Sequence, residues 1–162
     1  MPLADLWTWL ESLPISPYIA ESWWFPLLES IHVLGSTFVV GSILMVDLRL
    51  LGLAGRVHPV SRITREIVPW TYGACAVSVL AGAGMFISRA NHYAGNRAFQ
   101  VKMVLLALAG INMAVFHLAT SRGIVRWDTA ETTPLTSKFA GACSLLLWMG
   151  IMLAGRWIGH LS

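Results

Sequence analysis

Three observations predict an all-α membrane protein, a four-transmembrane-helix bundle preceded by a short amphipathic interfacial helix. The 162-residue chain is 56% apolar and only 12% charged, where an ordinary soluble domain carries about 25% charged residues. The apolar residues gather into four runs, at about 27–53, 67–88, 98–121 and 139–161. Each is close to the ~20 residues that cross ~30 Å of hydrocarbon. The second run contains no charged residue at all. Backbone polar groups in lipid must be satisfied within their own segment, so these runs are expected as helices. A mean hydropathy of +0.67 agrees, and a soluble enzyme is excluded. The formal charge of +3 does not indicate nucleic acid, because the basic residues sit at helix ends.

The elements follow in order. Residues 1–26 form a surface segment in which Leu3, Leu6, Trp7, Leu10 and Leu13 recur at helical spacing, with Asp5, Thr8 and Glu11 between them. That run is too short to span and reads as an amphipathic helix lying on the membrane surface, ended by Pro14 and Pro17. Residues 27–162 form the bundle, and Pro26 suits the first turn of the first span. No positive n-region followed by a long apolar stretch opens the chain, so the first span is expected to act as an uncleaved insertion signal. Gly and Ser are frequent in the spans, as at Gly35, Ser36, Gly41, Gly82 and Gly141. Small residues let membrane helices approach closely. Gly-Ala-Cys recurs at Gly73–Cys75 and Gly141–Cys143, early in the second and fourth spans, as a duplicated two-helix unit would have it. The two cysteines read as packing residues.

Short loops rich in Lys and Arg stay in the cytoplasm. Arg49, Arg56, Arg62, Arg65, Arg122, Arg126 and Lys138 fall on one side; Arg89, Arg97, Lys102 and Arg156 fall on the other. The expected topology is multi-pass in the bacterial inner membrane, with both termini periplasmic. Trp23, Trp24 and Trp157 would mark the outer interface, and Trp70 and Trp127 the inner one.

Ionisable residues inside spans are rare and point to function. His32 lies near the outer end of the first span and His117 near the inner end of the third. A rise of ~1.5 Å per residue separates them by roughly 20–25 Å along the membrane normal, so they would serve two sites. The outer side also offers His92 and His160 with Arg89, Arg97, Lys102 and Arg156 around them, and the inner side offers His58. Lys102 and His32 should lie at similar depth. Neutral imidazoles ligate haem iron, and cations pair with propionates or an anionic head group. Each histidine also has a plain reading, interfacial for His58, His92 and His160 and packing for His32 and His117. Asp47 is expected to pair with Arg49 or Arg122, with a proton relay as the sharper alternative. There is no Cys-x-x-Cys-His, so any haem would be b-type. Scattered methionines could hold Cu(I), although a membrane Met pair more often packs.

Two stretches carry a family resemblance. One runs from Glu29 to Ser36 (ESIHVLGS) and on through Val46 to Gly52 (VDLRLLG); the other runs from Phe99 to Leu106 (FQVKMVLL) and on through Asn112 to His117 (NMAVFH). They resemble a family of small, uncharacterised bacterial four-helix membrane proteins over most of the chain. The layout is also distantly similar to the CopD-like copper-resistance domain, with a His in an early helix and Phe-x-x-Lys opening a later one. It is similar too to small cytochrome b membrane proteins, whose helices hold haem between histidine pairs. The chain departs from those cytochromes in having no histidine deep in spans two and four. A second ligand would have to come from His92, His160 or His58.

Three functions follow as expectations. The first is a haem b protein passing electrons between quinone and a periplasmic partner, with His32 and His117 as metal ligands and Arg97 and Lys102 as cofactor-binding cations. The second is a structural or accessory subunit of a larger membrane complex or homo-oligomer. The third is a CopD-like copper or small-solute permeation protein.

Overall fold

The computed structural model describes residues 3–53, 60–116, 118 and 134–161. Among them it is all helix, without strands. Two short helices, α1 (Leu3–Ser12) and α2 (Ile15–Ala20), precede the long α3 (Trp24–Leu51). Then come α4 (Val60–Ser88), the short α5 (Ala90–Gly95), α6 (Arg97–Val115) and α7 (Leu135–Trp157). Four helices are long and apolar enough to cross a membrane: α3, α4 from Arg65 onward, α6 and α7. The protein is therefore a multi-pass integral membrane protein, its apolar helices in contact with lipid.

The distribution of side chains explains why. Among the described residues the buried apolar ones are few, and four of the nine are alanines, Ala81, Ala90, Ala98 and Ala109. Large ones such as Leu34, Leu80 and Leu146 are more than 70% exposed. Water would not tolerate that arrangement over four helices, whereas lipid offers such faces a solvent of their own kind. With no hydrophobic force between helices, close approach must come from small residues. At Gly35 a Cβ would stand 3.0 Å from Ser78 Cβ and 3.1 Å from the Ala74 carbonyl oxygen, so α3 lies directly on α4. Gly141 does the same for α7 against α3, where a Cβ would be 3.2 Å from Leu50 Cβ and 3.3 Å from the Asp47 carbonyl oxygen. The most extensive interface is α3 with α4, followed by α6 with α7; α3 and α7 join the two pairs.

Helix ends differ from the sequence expectation for identifiable reasons. α3 starts at Trp24, not residue 27, because Pro26 is tolerated in a first turn whose N–H groups have no intrahelical partner. α1 stops at Ser12, and Pro17 lies within the first turn of α2, so it helps start a helix and does not end one. α7 begins at Leu135, immediately after the extended Pro134 and ahead of the predicted start at residue 139. At the other end of α3, Gly52 takes φ 77°. Its N–H bonds the Arg49 carbonyl at 3.1 Å and that of Leu53 bonds the Leu48 carbonyl at 3.0 Å, the left-handed cap that favours glycine.

α1, α2, α5, the start of α3 and the end of α7 lie at one end of the bundle, here called the terminal face. Glu11 of α1 accepts from the Asn91 backbone N–H (2.9 Å) and side-chain amide (2.7 Å). Ser16 of α2 donates to the Ser88 carbonyl at 3.3 Å. Trp7 meets Phe86 edge-on at 5.4 Å, and Phe86 stacks on Phe99 at 5.4 Å. Asn96 ties the same end together. Its Oδ1 accepts from Ala98 N–H (2.9 Å) and Phe99 N–H (3.2 Å), and its Nδ2 donates to the Ile158 carbonyl (3.0 Å). Asn96→Ala removes the α6 cap and the tie to α7. A cap alone is worth about 1 kcal/mol, so thermal unfolding in detergent should show a loss of about 1–2 kcal/mol.

Candidate functional site

The polar residues of the spans divide into two groups, one toward each end of the bundle. Toward the terminal face, His32 sits about two turns into α3 and Lys102 little more than one turn into α6. These are depths of about 12 and 7 Å along helices rising ~1.5 Å per residue. The register brings them together: Lys102 Nζ lies 3.3 Å from His32 Nε2.

The imidazole is fixed from its other side. His32 Nδ1 is 2.7 Å from the Ser78 carbonyl oxygen of α4. A carbonyl can only accept, so the proton is on Nδ1 and Nε2 offers a lone pair to the Lys102 ammonium. Ser78 Oγ donates to the His32 carbonyl at 3.1 Å, and Ser36 Oγ lies 2.8 Å from Ser78 Oγ. Ser36 lies one turn beyond His32 on the same face. Gly82 makes room for the ring: a Cβ there would be 3.1 Å from both Cε1 and Nδ1. The Lys102 stem runs along Gly155 of α7, where a Cβ would be 3.6 Å from Nζ. Residues from all four spans thus build one polar cluster inside an apolar bundle.

Its charge is unbalanced. Among the described residues Lys102 makes no ion pair, and His32 Nε2 is its one hydrogen-bond partner. An ammonium has three N–H donors, so two are unspent. Holding such a charge within a span is expensive and marks function. The chemistry available is donation to an oxygen acceptor beside a fixed imidazole. Nearer the membrane surface, Arg89 lies over the Phe25 ring at 4.5 Å. Burial pushes the Tyr93 hydroxyl above its usual range; Arg89 pulls it back down and Glu29 pushes it up again.

The other expected site residues are placed as follows. His92, on α5, is exposed and touches Tyr93 edge-on at 5.5 Å. His160 lies past the end of α7, where it lines a shallow cleft of about 210 Å³ with Arg156 and Trp157. Arg97 is exposed in the first turn of α6. None of the three hydrogen-bonds to His32. His58 and His117 lie outside the described residues, as do Arg122 and Trp127. Among the described residues no group of three His, Cys, Asp or Glu side chains could hold a metal. A haem iron or copper ion on His32 Nε2 would have to displace Lys102. Sequence reasoning does not assign Ser36, Ser78 and Gly82 to this cluster. A serine midway along the uncharged second span and another a turn beyond His32 are the available signal.

The opposite end holds Asp47, and here the expected pairing with Arg49 is corrected. Asp47 is buried beside Ser144 of α7, and among the described residues its Oδ2 has no hydrogen-bond partner. Arg49, two residues on, projects from the far side of a helix that turns about 100° per residue and has a partner elsewhere.

No curated protein and no solved structure matches the chain. A family model does match, over residues 20–161, which takes in all four spans together with His32, Asp47 and Lys102. The chain belongs to that family, the family of unknown function DUF6644.

Proposed function

We propose that the protein binds, in the half of the bilayer nearest its termini, a membrane-dissolved ligand with an oxygen acceptor, the head group of a quinone being the class we favour. The observation that carries this reading is Lys102: an ammonium inside a span with two unspent donors and no counter-charge among the described residues. A carbonyl or carboxylate oxygen would take those donors, with the His32 imidazole beside it as a second polar contact. The surplus of basic residues in the sequence at the opposite end supports a site on the periplasmic side of an inner membrane.

Binding of a short-chain quinone and of a medium-chain fatty acid to the protein in nanodiscs tests the reading and separates the two oxygen sources. Charge-assisted hydrogen bonds contribute about 1.5–3 kcal/mol. Lys102→Met should therefore weaken binding by about 10- to 100-fold, at ~1.4 kcal/mol per decade. Absence of binding by both probes, or equal affinity in the variant, would overturn it.

One observation favours a second reading, haem b or copper on His32. The Nδ1–H bond to a backbone carbonyl is the orienting contact that metal-bound histidines use. That reading needs Lys102 withdrawn from Nε2. A reduced α-band in protein purified with haem supplied, lost in His32→Ala, would favour it over the first.

A further inference from the structure

We propose that Asp47 is a proton-binding site at the opposite end of the bundle, independent of the His32–Lys102 cluster. Asp47 is only 4% exposed. It sits where α7 packs on α3, its own carbonyl 3.3 Å from the position of a Cβ on Gly141. The Ser144 side chain of α7 lies beside the carboxylate, and Oδ2 is buried without a partner among the described residues. Ser137, Gly141 and Ser144 follow one another at spacings of about four and three, so they form a single stripe along α7. Ser137 is fully buried, and its hydroxyl also lacks a partner among the described residues. Ser144 is thus the hydroxyl of that stripe that faces the Asp47 carboxylate, and Ser137 lies nearer the end of the bundle.

Among the described residues no charged group neutralises it. Arg49, on α3 itself, has another partner. On α4, Arg65 and Glu66 are exposed. On α7, Lys138 follows Ser137 but makes no ion pair with Asp47 among the described residues. α6 presents Asn112, whose amide is spent on the Ala140 carbonyl at 3.1 Å. A metal cation would want several oxygen ligands, and no group of three acidic, His or Cys side chains gathers there among the described residues. A proton needs only one oxygen. The step is a transfer from hydronium to Oδ2, breaking one O–H bond in hydronium, forming one at the carboxyl and leaving water in the bulk.

Infrared difference spectra of the full chain in lipid, recorded through a pH titration in H₂O and D₂O, test the proposal. A carbonyl band of a protonated carboxyl should appear on acidification, shift in D₂O, and be missing from Asp47→Asn. Ser144→Ala should keep the band and move its frequency, because the carboxyl loses the hydroxyl beside it; a purely structural aspartate would give no such movement. Identical titration spectra for wild type and Asp47→Asn would overturn the proposal. Should Asp47→Asn fail to fold, a band in Ser144→Ala unmoved from the wild-type frequency would overturn it.

Discussion

Gly35→Val is expected to give the largest loss of stability of any single glycine substitution in the first span. The added Cβ meets Ser78 Cβ at 3.0 Å and the Ala74 carbonyl oxygen at 3.1 Å. The second of these is backbone in a packed helix and cannot swing aside. Overpacking typically costs about 1–3 kcal/mol, and valine adds two methyl groups beyond the Cβ, so a loss of at least about 3 kcal/mol is expected. Parting α3 from α4 also strains the 2.7 Å bond from His32 to Ser78 and the 2.8 Å Ser36–Ser78 contact. Gly41, farther along the same helix, would place a Cβ with nothing within 4 Å of it. Gly41→Val should leave stability within about 0.5 kcal/mol, the usual range for sites away from packing. Thermal or denaturant unfolding of both variants in one detergent checks the contrast. Similar losses at the two positions would mean that α3 and α4 do not touch at Gly35.

His32→Ala is the second large effect. It leaves the Lys102 ammonium without its hydrogen-bond partner and opens a ring-sized space over Gly82. Removing one member of a buried polar pair costs about 1–3 kcal/mol, more when the survivor is charged. Lys102→Met alone should cost less, because it removes the charge that needed compensation and keeps an apolar stem along Gly155. The double variant should then be more stable than the sum of the singles allows, with a coupling of about 0.5–3 kcal/mol. Additive losses would show that the two side chains do not interact in the membrane.

Much of this architecture can be read from residue order. Apolar runs of span length have no other stable home than helices in lipid, so the four spans follow from hydropathy alone, and the surface helix of Leu3 to Ser12 from the spacing of its leucines. The co-location of His32 and Lys102 is legible for a similar reason. Antiparallel neighbours of known length fix depth, and both residues lie within a few turns of the same end. Rotation about the helix axes is not legible. α3 is apolar nearly all round, so its sequence does not say which face meets α4, and Ser78 and Gly82 gain meaning only once that face is known. Charge pairing is also poorly legible from proximity along the chain. Asp47 and Arg49 are close neighbours in sequence, yet a helix turns them to nearly opposite sides, and the carboxylate meets Ser144 across an interface formed by Gly141.

The protonation pattern of the His32 ring tests the central arrangement most directly. Nitrogen-15 solid-state NMR of histidine-labelled protein in lipid bilayers, with the His32 signals assigned by difference from His32→Ala, reads each ring nitrogen separately. Donation to the Ser78 carbonyl and acceptance from Lys102 predict a protonated Nδ1 and a lone-pair Nε2, and Lys102→Met should shift the Nε2 signal while leaving Nδ1 in place. A proton on Nε2, or a spectrum indifferent to Lys102→Met, would contradict the arrangement.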